Sequence, residues 1–223
     1  MSKPLWKPSP QRVAAAAMTE FRLAAQERTG RNFPDYDALH EWSTKEPAAF
    51  WQFYVHYAGI AIAAAPERVM SNDSMPYTKW FEGATFNYAE ALLYPHELKD
   101  DSATAIIAVN ETGRERLLSY ADLRHEVARC AAALKRSGVA RGDRVAAYTC
   151  NVPEAVTLLL ACASLGAIFS SCSPDFGFEA AFARFGQIAP KLLFAADSYS
   201  YGGKSFATLP TVQRLAAEIE GLQ

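Results

Sequence analysis

Residues 155–174, AVTLLLACASLGAIFSSCSP, run for 20 positions without a charge, and any fold this chain adopts has to bury them. About 20 predominantly apolar residues can also span a bilayer. Here Gly166 and the serines at 164, 170, 171 and 173 interrupt the run. It therefore reads as a buried helix followed by a buried strand, not as a membrane span. An apolar strand over 144–149 precedes the run and another over 191–196 follows it. Strand, helix, strand, helix, strand with short connections is the pattern of a parallel sheet with crossover helices. Parallel strands are covered on both faces, which accounts for their lack of polar alternation.

Local signals sharpen this order. Ser119 with Asp122 three residues on predicts a capped helix start, with Leu123, Val127, Ala131 and Leu134 on one face and Gly138 as the stop. Residues 103–109 and 116–118 read as strands joined by a turn, 153–165 and 178–188 as helices, and a last helix follows Pro210. Upstream the chain is helical and aromatic. Ser9-Pro10 opens a helix whose apolar positions Val13, Ala17, Phe21 and Ala24 continue to Gly30. Asp35 caps a helix carrying Leu39 and Trp42, and Pro47 opens one whose apolar face is Phe50, Trp51, Tyr54 and Val55. Residues 66–87 are turn-rich and hold the cluster Tyr77, Trp80, Phe81 and Phe86; a short helix at 87–93 and a polar linker, HELKDDS, follow. The expected fold class is α/β: a helical, aromatic-rich segment over residues 1–95, then a partial layered α/β/α domain with a mostly parallel sheet over 96–223.

Half of the 223 residues are hydrophobic and 21% are charged, ordinary globular usage that excludes disorder. A net charge of −2 offers no electrostatic footprint for nucleic acid or an anionic membrane. The four cysteines, 20, 12 and 10 residues apart, lack metal or redox spacing, and the first residues lack the apolar core of a signal peptide. A cytoplasmic protein with reduced thiols is expected.

Few residues form a chemical constellation. SYSYGGKS, residues 198–205, shares Gly-Lys-Ser with a nucleotide phosphate loop but has Ser198 where the first glycine belongs, and Ala207 to Pro210 intervene before the next helix. It reads as a solvated turn or as a weaker anion contact, two glycines exposing amides beside Lys204. Asp175-Phe176-Gly177 reads as a strand-to-helix turn, without the companion motifs of a kinase. Asn151 lies where ligands of parallel sheets gather, at the carboxyl end of a strand, and capping the helix at Pro153 is its simpler role. Histidines 40, 56, 96 and 125 are scattered, Glu111 and Glu115 solvate a hairpin turn, and Cys130, Cys162 and Cys172 read as small buried hydrophobes. These residues supply no complete active site: no catalytic group and no metal ligand set.

The stretch YTKWFEGATFNYAE, residues 77–90, resembles the WF-x-G-x-x-x-N-Y-A-E element of the acetyl-CoA synthetase branch of AMP-forming acyl-CoA synthetases. LWKPSP, MTEF and DYDALHEWSTKEPAAFW resemble the start of its acetoacetyl-CoA synthetases, and LSYADLRHEV through SSCSPDFG is similar to the first sheet of the family's large domain. The resemblance covers residues 4–220. It implies an acid–thiol ligase: a short-chain acid, acetoacetate foremost, attacks ATP to give an acyl-adenylate, and CoA then displaces AMP, with Mg assisting. It implies small-molecule substrates only, and Gly202, Gly203 and Lys204 as a contact for a CoA phosphate, with Tyr201 where the family has arginine. Ser173 and Asp175 fall in a neighbouring turn of that CoA region, an acid there being a departure. The family's Ser/Thr/Gly-rich phosphate loop, Tyr-x-x-Thr-Glu element and lid domain do not occur in these 223 residues, so the expectation is a truncated, inactive N-terminal part, with self-association through an exposed sheet edge. The alternative is a stand-alone binding or interaction module.

Overall fold

The computed structural model describes residues 5–95, 98, 100–113 and 115–222. His96 and most of the start of the expected linker lie outside the described residues, as does the point where the two segments were expected to meet. The described residues divide into two compact units, one running to Phe86 and the other taking up Asn87–Tyr94 and the chain from Leu98 on.

The first unit holds four helices: α1 (Pro10–Ala14), α2 (Ala17–Thr29), α3 (Tyr36–Lys45) and α4 (Pro47–Tyr57). Ser9 Oγ accepts from the Arg12 amide at 3.2 Å and Asp35 Oδ1 from Ala38 at 2.9 Å, so both expected caps form. The single helix expected from Pro10 to Gly30 is two: Ala16 adopts an extended conformation, and the Thr19 hydroxyl donates to the Val13 carbonyl at 2.6 Å, satisfying a C-terminal acceptor of α1. Gly30, at φ 68°, does end α2. The core is aromatic: Phe33, Leu39, Trp42 and Phe53 are buried with Ala25, and Phe21 meets Tyr57 edge-on at 5.0 Å. The expected apolar face of α4 is rotated. Phe53 is its buried residue, whereas Trp51 and Tyr54 face solvent at 41% and 38% exposure, because the rings of Phe21 and Trp42 converge on Phe53.

Within the turn-rich stretch a short antiparallel pair forms, β1 (Arg68–Met70) with β2 (Trp80–Glu82). Phe81 in β2 sits at φ 48°, a left-handed conformation that bulky residues seldom adopt. Gly83 follows at φ 81°, where no Cβ is required to fit.

The second unit begins with α5 (Tyr88–Leu93) and an antiparallel hairpin, β3 (Thr104–Val109) with β4 (Glu115–Ser119). Next come α6 (Tyr120–Arg136), β5 (Arg144–Tyr148), α7 (Pro153–Ser164), β6 (Ile168–Cys172), α8 (Gly177–Ile188), β7 (Leu192–Ala195), the hairpin β8 (Ser198–Tyr201) and β9 (Lys204–Ala207), and α9 (Leu209–Glu218). The capping box of α6 forms as its sequence requires, Ser119 Oγ accepting from the Asp122 amide and Asp122 from the Ser119 amide, each at 3.1 Å.

β5 is the centre of a parallel three-stranded sheet ordered β6-β5-β7, with Val145 opposite both Phe169 and Leu192. Its residues alternate between two cores. Val145 and Ala147 pack with Leu123, Val127, Leu158 and Cys162 of α6 and α7. Ala146 and Tyr148 pack with Ala181, Phe185 and Leu215 of α8 and α9. Helices on both faces of a parallel sheet make the expected α/β/α layering. At the amino end, Arg144 donates to the Ile188 and Ala189 carbonyls at 2.7 and 3.0 Å, and Lys191 pairs with Asp143 at 3.0 Å. Among the described residues no helix is long and apolar enough to cross a membrane.

Candidate functional site

The carboxyl ends of β5 and β6 are tied together. Tyr148 donates its hydroxyl to the Pro174 carbonyl at 2.6 Å, holding the 3₁₀ turn Pro174–Phe176 that leads into α8. Ser173 and Asp175 are exposed on that turn, so Asp-Phe-Gly is a strand-to-helix connection, with the Arg184 guanidinium 4.6 Å from the Phe176 ring. Thr149 follows Tyr148 with a buried hydroxyl that has no hydrogen-bond partner among the described residues. Asn151 is exposed and is not the cap of α7. Val152 occupies that position and makes no side-chain cap, so the helix relies on Pro153 in its first turn, whose missing N–H leaves one donor fewer to satisfy.

Cys172 and Cys162 are not poised nucleophiles. Burial pushes Cys172 up to about 11, with Arg184 pulling down and Asp175 pushing further up. Burial, then the neighbouring Cys130, raises Cys162 to about 12. A thiol in that range is protonated near neutrality and behaves as a small apolar side chain. His125 is exposed on α6 as expected. Among the described residues no group of three or more His, Cys, Asp or Glu side chains could hold a metal ion.

Residues 198–207 are not a solvated turn alone; they form a regular hairpin, which sequence reading missed. Tyr201 pairs with Lys204 across a two-residue loop, Gly202-Gly203, with both glycines at positive φ, 58° and 73°. That is the type I′ geometry matching the twist of a hairpin, and it excludes most other residue pairs. Tyr199 stacks on Phe206 at 5.1 Å to stiffen the arms. At the root, the Thr208 hydroxyl donates to the Ala196 carbonyl and its amide to the Asp197 carbonyl.

At the tip, the amides of Gly202 and Gly203 point away from the hairpin ladder and converge on one anion. Gly202 donates to Glu111 Oε1 at 3.1 Å and Gly203 to Glu111 Oε2 at 3.5 Å. Glu111 lies in the β3–β4 turn, so it does more than solvate that turn. Two successive amides closing on a carboxylate form an anion receptor, with Lys204 adjoining it. Lys204 is exposed and has no ion pair among the described residues. Tyr201, 70% exposed, supplies no cation. Gly202, Gly203 and Lys204 are thus brought together; Ser173, Asp175 and Asn151 make no hydrogen bond to them among the described residues.

Comparison with known proteins accords with this architecture. Residues 97–221 match the AMP-binding enzyme family, and residues 36–92 match the acetyl-coenzyme A synthetase N-terminus. The acetoacetyl-coenzyme A synthetase of Rhizobium meliloti (strain 1021) is 42% identical over 202 residues, covering 91% of this chain and 30% of that protein. The acetoacetyl-CoA synthetase of Rattus norvegicus is 36% identical over 223 residues, covering 98% of this chain and 32% of its own length. The solved acetoacetyl-CoA synthetase from Streptomyces lividans superimposes with a TM-score of 0.92 at 39% identity, covering 100% of this chain and 34% of that one. The chain therefore spans about a third of the length of the relatives it matches.

Proposed function

The chain belongs to the AMP-binding enzyme family, and from that premise we propose that it serves an AMP-forming acid–thiol ligase whose acid is acetoacetate. The observation that carries this reading is the likeness to the Streptomyces lividans enzyme over 100% of the chain, at 39% identity and a TM-score of 0.92. In such a reaction the carboxylate oxygen attacks the α-phosphorus of ATP and pyrophosphate leaves. The CoA sulfur then attacks the acyl carbon and AMP leaves. ATP and CoA are substrates in this reading. Mg in this reading would come with the phosphate oxygens of ATP and screen their charge, and no described residue is assigned to it.

In this proposal the second unit contributes to CoA binding. The amides of Gly202 and Gly203, with Lys204 beside them, receive a terminal phosphate of CoA. Two donors and one cation hold its oxygens and orient the rest of the molecule, a binding role rather than a chemical one. The organisation into residues 1–95 and 96–223 remains the proposed domain plan. Four free thiols support a reducing, cytoplasmic setting. The outer edges of β6 and β7 have no strand partner among the described residues, which supports self-association through a sheet edge.

The test is pyrophosphate release from ATP by the full enzyme, with acetoacetate, acetate and propionate compared in the presence of CoA. Acetoacetate should have the highest kcat/KM, and an equal or greater value for acetate would overturn the assignment of the acid.

A further inference from the structure

We propose that Glu111 is an internal competitor for the anion receptor at Gly202-Gly203, so that a phosphate monoester enters only as the Glu111 carboxylate leaves. The inference rests on the reading of this turn as the CoA-phosphate contact.

The receptor is already formed and already occupied. In a type I′ turn the two central amides take no part in the hairpin ladder, and an acceptor must come from outside. Glu111 provides both oxygens to them, at 3.1 and 3.5 Å, from 91 and 92 residues away in sequence. Among the described residues the carboxylate is held by these two donors and forms no ion pair with Lys204. A phosphate monoester carries more charge and a third oxygen, so it can accept from both amides and from the Lys204 ammonium together.

The route of exchange is also visible. Glu111 is exposed, so its carboxylate regains water as it swings out. The turn that bears it keeps its shape through its own bonds, Asn110 Oδ1 accepting from the Thr112 amide at 3.0 Å and hydroxyl at 2.7 Å. The side chain can move while the backbone stays. A competitor carried by the protein itself lowers apparent affinity by the fraction of molecules in which the receptor is open. It also rejects ligands whose anion is no better than a carboxylate. Glu111 thus acts as a specificity-determining residue for the terminal phosphate.

The experiment measures CoA and 3′-dephospho-CoA binding by titration calorimetry to the full enzyme, as wild type and as the Glu111→Ala, Glu111→Gln and Lys204→Ala variants. Glu111→Ala should tighten CoA binding about threefold or more, with a smaller gain for Glu111→Gln, which keeps a neutral acceptor. Binding of 3′-dephospho-CoA should not change. Unchanged or weaker CoA binding by Glu111→Ala overturns the competition, as does equal tightening for both ligands. Lys204→Ala tests the underlying reading separately. Loss of CoA affinity there together with no effect of Glu111→Ala leaves the phosphate contact standing and removes the competitor. No loss for Lys204→Ala, with CoA and 3′-dephospho-CoA bound alike by wild type, removes the contact itself.

Discussion

Asn87 donates its side-chain amide to the carbonyl of Ala163, 3.1 Å away and 76 residues along the chain, while its Oδ1 accepts from the amides of Ala89 and Glu90. One side chain therefore caps the start of α5 and the end of α7. This asparagine is the N of the WF-x-G-x-x-x-N-Y-A-E element, and its conformational task explains why that residue type suits the position. Replacing Asn87 by Ser keeps a short N-cap acceptor but cannot reach α7, and replacing it by Ala removes both contacts. The expected losses are about 1 kcal/mol for Asn87→Ser and about 2 kcal/mol for Asn87→Ala, read as urea midpoints at constant m. Equal losses would mean that the contact to α7 contributes nothing.

Tyr148→Phe should destabilise the second unit by about 1–3 kcal/mol, since the Pro174 carbonyl loses its donor in a buried setting. The same variant should change the alkaline limb of stability. Burial first, then the neighbouring Cys172, Tyr199 and Asp175, raise the Tyr148 phenol above its ordinary value. A raised folded-state value means that the unfolded chain gives up its proton first. Stability from this group is complete below the ordinary tyrosine range, about pH 10, and falls as pH rises toward the folded value. Thermal midpoints from pH 8.5 to 11 should drop more steeply for the wild type than for Tyr148→Phe.

Gly203→Val and Gly203→Asn separate conformation from space at the hairpin tip. A Cβ at Gly203 would meet nothing within 4 Å, so the cost common to both variants is the left-handed backbone, φ 73°, to which the branching of valine adds. That cost is roughly 1–2 kcal/mol for an ordinary L-residue and less for Asn, which tolerates the region. Valine should therefore lower the melting temperature more than asparagine, with glycine highest. A valine variant as stable as wild type would place the turn in another geometry.

Alkylation should divide the thiols. Cys162 and Cys172, at about 12 and about 11, are buried and protonated near neutrality. Burial also raises Cys130, leaving partly exposed Cys150 as the first to react. Iodoacetamide at pH 8 followed by peptide mass spectrometry should label Cys150 well before the others, and denaturant should equalise all four. Early labelling of Cys172 would contradict its burial under α8.

Much of the second unit was legible because its signals are local. Ser119 with Asp122, Gly138, Pro153 and Gly166 each act within one turn of chain, and the sheet follows from their order. The misses are contacts that propensity does not encode. Four consecutive alanines at 14–17 favour unbroken helix, yet Thr19 reaches back to Val13 and the helix splits. Trp51 and Tyr54 are aromatic like Phe53, and the placement of Phe21 and Trp42 puts Phe53 under cover. The hairpin at 198–207 escaped because SYSY and KSFA are short, half-polar strands around a Gly-Gly pair that also suits a loose turn. At the site, the glycines and Lys204 already marked an anion contact. Glu111, however, lies 91 residues from its partner Gly202, and sequence carries no signal of that pairing.

The alternation along β5 has a consequence for variation in this fold. Val145 and Ala147 look one way and Ala146 and Tyr148 the other, each at most 1% exposed. The strand has no spare side on which change is free. Two neighbouring alanines set the standoff of the helices on opposite faces, so a larger residue at either would wedge one helix layer outward while leaving the other in place. Substitutions tolerated here should come as matched sets, a gain of volume in the strand answered by a loss in α7 or in α8.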